Sequence, residues 1–315
     1  MINKKAIGRL GNQMFQYATI RAFALENNLT NEKVDYDLSI HYAAGFNNDI
    51  INFNLKSDIQ YKKLKNNFFQ NFLIMGINCI KIKNKIFSKI SKNNYDQLMY
   101  NSEKRIQPFI NRFGLYYFSR GYYNFKNYNS KNKSFYGTFE SYKYFDKYKK
   151  EIQDEFTPKY GILEKNKDIY KQIEESESVC VTIRRGDFVS VEKHKKRFYI
   201  CTPEYFEKAI ELIKQEIKNP KFFIFSDDIG WCKRNMNLPK NCVFETGDDP
   251  VWEKLRMMYS CKHFIISNST FSWWAQYLSK NENKIVVAPS KWKRETYNNV
   301  VSDLYEEDWK TVEVD

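Results

Sequence analysis

Two adjacent arginines, Arg184 and Arg185, followed at once by Gly186 and Asp187, close the apolar run VCVTI at 179–183. Planar guanidinium donors match phosphate oxygens in pairs, which a lysine ammonium cannot copy. Two of them delivered by the end of a buried strand suit a diphosphate. Asp187 can lock an arginine's orientation or accept a proton. Arg184, Arg185 and Asp187 are therefore the first candidates for chemistry.

Two further polar clusters follow apolar runs in the same way. Ser226, Asp227 and Asp228 come after FFIF, and Ser267, Asn268, Ser269 and Thr270 come after HFII and open the stretch FSWWAQYL, which includes Ser272. Taken singly, each is ordinary, because Ser, Asn and Asp cap helices and Trp273 and Trp274 can simply fill a core. Three such clusters on one sheet edge carry more weight, because ligands of open parallel sheets bind beyond the carboxyl ends of the strands. Nearer the N-terminus, Gly8 and Gly11 precede Asn12 and Gln13. Apolar residues then recur with helical spacing at Met14, Phe15, Tyr17, Ala18, Ala22, Phe23 and Leu25. A glycine turn feeding a helix N-terminus presents amides to an anion, although a plain tight turn uses the same residues.

The elements that must position these groups are clearest in the second half. There VCVTI, FFIFS, CVFE, HFIIS and KIVVAP alternate with helical stretches. Thr202 before Pro203, and Asp249 before Pro250, read as helix starts. Strands alternating with helices imply a parallel sheet wound by right-handed crossovers, hence a Rossmann-like second domain. With 315 residues, two domains are expected, 1–160 and 161–315, meeting where Thr157-Pro158 and a charged stretch intervene.

Composition limits the alternatives. Apolar residues at 42% and aromatics at 17% suffice for real cores. The net charge of +13 invites a polyanion, yet only eleven of the 51 basic residues are arginine. The lysines mingle with Asn, Ile, Phe and Tyr, and no nucleic-acid-binding signature is present, so no nucleic-acid partner is expected. Six cysteines without CxxC spacing fit a reduced, cytoplasmic chain, and MINKKAIGRLGNQ lacks the apolar core of a signal peptide. The stretch 68–92, apolar and then lysine-rich, is too short and too polar to span a bilayer. It reads either as a lysine-rich surface helix or as an interfacial helix touching an anionic membrane.

Other motifs are weaker. Asp35-Tyr36-Asp37 has the Asp-x-Asp form that holds a divalent cation against a nucleotide sugar, but it also reads as a strand end. His41, His194 and His263 are far apart in sequence and suggest no metal cluster.

The set GRLGNQMFQYA, IRRGDF, FSDDIGWCK and SNSTFSWWAQYL, in this order and spread over most of the chain, resembles the inverting α-1,2-fucosyltransferases, particularly bacterial members serving surface polysaccharides. The resemblance implies a GT-B-like α/β fold of two facing Rossmann-type domains with a deep cleft between them. It also implies metal-independent transfer of L-fucose from GDP-β-L-fucose to the 2-hydroxyl of a terminal galactose-type sugar. The acceptor would be a galactose-containing oligosaccharide, in one form lipid-linked, in O-antigen or capsule synthesis at the inner membrane face. Arg184 and Arg185 would contact the donor phosphates, with Asp187 beside them. Gly8, Gly11, Asn12 and Gln13 would approach from the first domain. Ser226, Asp227, Asp228, Glu253, Asn268, Ser269, Thr270 and Ser272 would complete the donor side. Thr182 replaces the histidine that related enzymes hold near the guanine base, and its hydroxyl can still form a hydrogen bond. Two alternatives stand beside this one: a metal-dependent transferase using Asp35 and Asp37, and a non-enzymatic basic protein that grips polyanions or carbohydrate.

Overall fold

The computed structural model describes residues 1–29, 33–39, 42, 45–63, 66–119, 121–294 and 303–314. The chain forms two compact units, one of Met1–Ile51, Leu55–Glu155 and Tyr297–Leu304, the other of Asn52–Asn54, Phe156–Thr296 and Tyr305–Asp315.

The first unit runs β1 (Ile2–Lys5), α1 (Leu10–Glu26), β2 (Val34–Asp37), β3 (Ile59–Tyr61), α2 (Phe68–Ser91), α3 (Tyr95–Ile110), β4 (Leu115–Tyr117), β5 (Lys133–Tyr136) and α4 (Lys149–Glu155). Its sheet has the order β3-β2-β1-β5-β4 with every pair parallel. Helix α1 is buried on nearly all sides, so its apolar residues wrap the helix rather than forming one stripe. Ile20, Phe23 and Ala24 of α1 join Ile2, Tyr36, Tyr116 and Phe135 in the core. Gly8 lies between β1 and α1 at φ +80°, a left-handed conformation, and a Cβ there would meet Asn12 Cβ at 2.9 Å.

The second unit runs α5 (Lys167–Glu174), β6 (Glu177–Ile183), α6 (Gly186–Ser190), α7 (Glu192–Phe198), α8 (Pro203–Glu216), β7 (Pro220–Ser226), α9 (Ile229–Asn235), β8 (Val243–Phe244), α10 (Val251–Ser260), β9 (His263–Ile265), α11 (Thr270–Leu278), β10 (Val286–Pro289) and β11 (Lys310–Val312). Its strands lie in the order β11-β10-β9-β6-β7-β8, all parallel. From β6 the chain builds outward through β7 and β8, then returns to the other flank of β6 with β9. The direction reverses between β6 and β9, which is where open α/β sheets bind ligands. β6 is buried from Ser178 to Ile183, as a central parallel strand covered on both faces must be. Ala209, Ile210 and Ile213 of α8 close one face against Val179, Val181, Ile224 and Ile265.

Both expected helices start where the sequence places them, but one cap is corrected. Thr202 does occupy the N-cap of α8, with Pro203 in its first turn. Before α10, however, Pro250 is the N-cap, and Asp249 is buried, accepting from Thr246 Oγ1 at 3.2 Å and pairing with Lys165 at 3.0 Å. With its carboxylate turned to those partners, Asp249 is not the residue that caps the helix.

Candidate active site

The end of β6 delivers Arg184 and Arg185 into a ring of carboxylates contributed by two loops. Arg184 donates from its two terminal nitrogens to Asp227 and Asp187 and lies over the Phe188 ring. Asp227 Oδ1 also accepts from the Arg185 backbone N at 2.8 Å, so one carboxylate ties both arginines to the end of β7. Gly186 makes this approach sterically feasible, since a Cβ there would stand 2.6 Å from Asp227 Oδ2.

Arg185 is held differently. Its guanidinium carbon sits 3.3 Å from the centre of the Trp231 ring, and Nε reaches Asp228 Oδ2 at 3.4 Å. Among the described residues, neither terminal nitrogen of Arg185 has a protein hydrogen-bond partner. The side chain is only 11% exposed. A planar cation that is stacked, tethered at one edge and unengaged at the other is set to receive a bidentate anion. Asp228 also accepts from Trp231 N at 3.1 Å and so caps the helix that carries the tryptophan, while Asp228 N donates to Ser226 Oγ at 3.0 Å. Behind this loop, burial raises the pKa of the Cys232 thiol, with Ser226 and Arg185 pulling partly the other way.

The strand-end residues nearer the sheet serve the framework. Thr182 is buried; its hydroxyl donates to Ile265 O at 3.4 Å and accepts from Ser267 N at 3.1 Å, pinning β6 to the end of β9 across the switch point. Those bonds already occupy the hydroxyl expected to be free for a base. Asn268 is likewise buried, donating to Phe198 O at 2.9 Å and Trp292 O at 3.1 Å. Ser272 pairs with Ser267 at 3.1 Å. Ser269 takes the N-cap of α11 without a side-chain cap, with Thr270 the first helical residue. Behind them Trp273 and Trp274 are fully buried, Trp273 stacked on Tyr277.

Glu253 has a structural job in this geometry. Fully buried on α10, it pairs with Arg256 and accepts from Leu163 N at 3.1 Å and Asn166 Nδ2 at 3.2 Å. Gly8, Gly11, Asn12 and Gln13 belong to the first unit, where Asn12 Nδ2 donates to Glu140 Oε1 at 2.7 Å. Asp35 and Asp37 lie on strand β2, where Asp37 accepts from Ser39 N at 2.9 Å. Among the described residues no group of three His, Cys, Asp or Glu could hold a metal ion. His41 lies outside the described residues.

Two further residues join the arginine cluster without a clear signal in the sequence. His194 Nδ1 lies 3.2 Å from Asp187 Oδ2, placing a histidine beside the arginine cluster. Trp231 gives Arg185 its platform. The motif FSDDIGWCK contained the tryptophan, and a ring three residues beyond a helix-capping aspartate was the available signal.

Comparison with known proteins decides what this arrangement belongs to. A family model described as glycosyl transferase family 11 matches residues 114–313. The chain belongs to this family. An α-1,2-colitosyltransferase of Escherichia coli is 30% identical over 316 residues, covering 97% of each chain. The O-antigen biosynthesis glycosyltransferase WbnK of Escherichia coli is 29% identical over 299 residues, covering 90% of this chain and 92% of the other. A galactoside α-(1,2)-fucosyltransferase 1 of Saimiri boliviensis boliviensis is 25% identical over 149 residues, 44% of this chain and 41% of the other. In fold, the family 11 chain is similar to the crystal structure of NodZ α-1,6-fucosyltransferase soaked with GDP-fucose, with a TM-score of 0.52 at 12% identity over 88% of this chain and 92% of that one. The two parallel-sheet α/β units are thus the GT-B-like fold expected from the motifs.

Proposed function

We propose that this family 11 transferase moves L-fucose from GDP-β-L-fucose to the 2-hydroxyl of a terminal galactose-type sugar with inversion, in O-antigen or other surface-glycan synthesis. The observation that carries the reading is Arg185, stacked on Trp231 with its terminal nitrogens unengaged among the described residues. The two arginines divide the work. Arg185 grips the departing diphosphate, while Arg184, tied to Asp187 and Asp227, fixes the loop that aims it.

As the bond to fucose breaks, negative charge builds on the β-phosphate and the sugar becomes oxocarbenium-like. Donors already in place stabilise that charge without reorganising during the reaction. Asp187 acts through Arg184, and no metal takes part. Ser269 and Thr270 at the start of α11, with Ser226, Asp227 and Asp228, border the nucleotide. Gly8, Gly11, Asn12 and Gln13, around the start of α1, complete the set of proposed donor residues. The acceptor is a galactose-containing oligosaccharide, in one form lipid-linked, and the protein works in the cytoplasm at the inner membrane face, without nucleic acid.

The full-length similarity to a colitosyltransferase favours one second reading, GDP-colitose as donor. Colitose lacks fucose's 3-hydroxyl, and a site built to hydrogen-bond a hydroxyl rejects the analogue without it by about ten-thousandfold. Turnover with GDP-fucose and GDP-colitose in EDTA, followed by linkage analysis, tests both. An α-1,2-fucosylated product is expected, an α-1,2-colitosylated one would select the second reading, and dependence on added metal would remove the metal-free mechanism.

A further inference from the structure

Helix α2 carries an apolar stripe that the fold leaves uncovered. Phe68, Phe72, Met75, Cys79, Ile82 and Ile86 follow one another at spacings of four and three, and Ile90 continues at four. At 3.6 residues per turn, the seven fall within about 80° of arc. All are exposed, Phe68 at 87% and Ile90 at 78%. The opposite face is spent inside the first unit: Leu73 and Ile77 pack with Ile110, Leu115 and Tyr117, and Asn84 donates to Ser102 Oγ on α3 at 2.9 Å. At the N-terminal end, exposed Phe69, Phe109 and Phe113 extend the stripe, with Phe69 and Phe113 rings 4.5 Å apart.

The charges on this helix are of one sign. Its 24 residues include no Asp or Glu, and Lys81, Lys83, Lys85 and Lys89 all lie in the C-terminal half. We propose that this face docks on an anionic lipid bilayer, with the phenylalanine end set into the headgroup–acyl boundary and Lys83, Lys85 and Lys89 reaching the phosphates, while Lys81 is turned over the Tyr117 ring. Interfacial helices combine these features: one apolar face, flanking lysines whose stems cover apolar surface, and charge complementary to anionic lipid. A second copy of the chain fits less well. Pairing two such seams in parallel would set lysine against lysine, and in either direction no carboxylate on the partner helix would meet them. Nor would the helix cross the bilayer, since no helix among the described residues is long and apolar enough. Docking would bring the enzyme to an acceptor on a lipid carrier. That consequence rests on the proposed activity; the docking itself does not.

Flotation of the full chain with phosphatidylcholine vesicles, with and without phosphatidylglycerol, tests the surface. Binding to the anionic vesicles should be tighter by about tenfold or more and should weaken with salt. Lys83→Glu/Lys85→Glu/Lys89→Glu and Ile82→Ser/Ile86→Ser should each abolish it while leaving turnover on a soluble acceptor unchanged. An environment-sensitive fluorophore on Cys79 should shift to the blue only with anionic vesicles. Equal binding to both vesicle types, or to neither, overturns the proposal, as does an Ile82→Ser/Ile86→Ser variant that turns a dimer into a monomer. Failure of the activity reading would show separately, as no transfer to a soluble acceptor by the unmodified protein.

Discussion

Asp187 accepts from Arg184 at one carboxylate oxygen and has the other 3.2 Å from His194 Nδ1. Replacing it with Asn removes the negative charge that Arg184 donates to. Hydrogen bonds to charged groups contribute about 1.5–3 kcal/mol, so Asp187→Asn should lower kcat by about tenfold or more. His194→Ala, which removes only the outer partner, should cost less. Steady-state kinetics on both variants checks the order; an equal or larger loss in His194→Ala would place the imidazole in the chemistry itself.

Trp231 is the platform under Arg185. A cation–π stack is worth about 0.5–2 kcal/mol, so Trp231→Ala should weaken GDP binding by about two- to thirtyfold, with Trp231→Phe recovering part of it. Calorimetric titration with GDP measures this. Unchanged affinity in the alanine variant would show that the stack does not serve the nucleotide.

These two relationships mark the boundary of what the sequence made legible. The strands β6, β7 and β9 stood out because buried parallel strands are nearly continuous apolar runs, and the residues at their ends followed directly. Partner choice was invisible. Asp227 lies 43 residues from Arg184, and nothing local says that it meets that guanidinium rather than capping a helix. Thr182 and Asn268 looked available because a sequence shows polar groups but not the backbone carbonyls and amides that occupy them. In the first unit β3, β4 and β5 went unread, being three or four residues long and built of IQY, LYY and KSFY, too short to show a period.

Glu253 separates a framework role from a donor role. Removing one partner of a buried ion pair costs about 3–5 kcal/mol, so Glu253→Gln should unfold at distinctly lower denaturant while its folded fraction keeps turnover. A stable variant with abolished transfer would instead put this carboxylate at the nucleotide.

His263 gives stability a defined pH dependence. Buried, it accepts from Ile285 N at 3.1 Å through Nδ1 and lies 3.5 Å from Glu177, so the folded state requires the neutral ring. Burial lowers its pKa below the ordinary 6.5, with Glu177 pulling partly back. The unfolded chain therefore takes the proton first. The stabilisation is complete above about pH 6.5 and is lost as the pH falls through the window between the unfolded and folded values. Denaturant titrations above and below that pH should show the loss, and His263→Asn should flatten it. An equal slope in the variant would assign the effect elsewhere.

The central claim, that the Arg185 guanidinium stabilises the charge left on GDP as fucose departs, is tested most directly by kcat for transfer from GDP-fucose in Arg185→Ala, with folding confirmed by circular dichroism. Losing one preorganised donor of this kind costs about a hundredfold or more in kcat, and that fall is the predicted result. A folded variant turning over at close to the unmodified rate would contradict it.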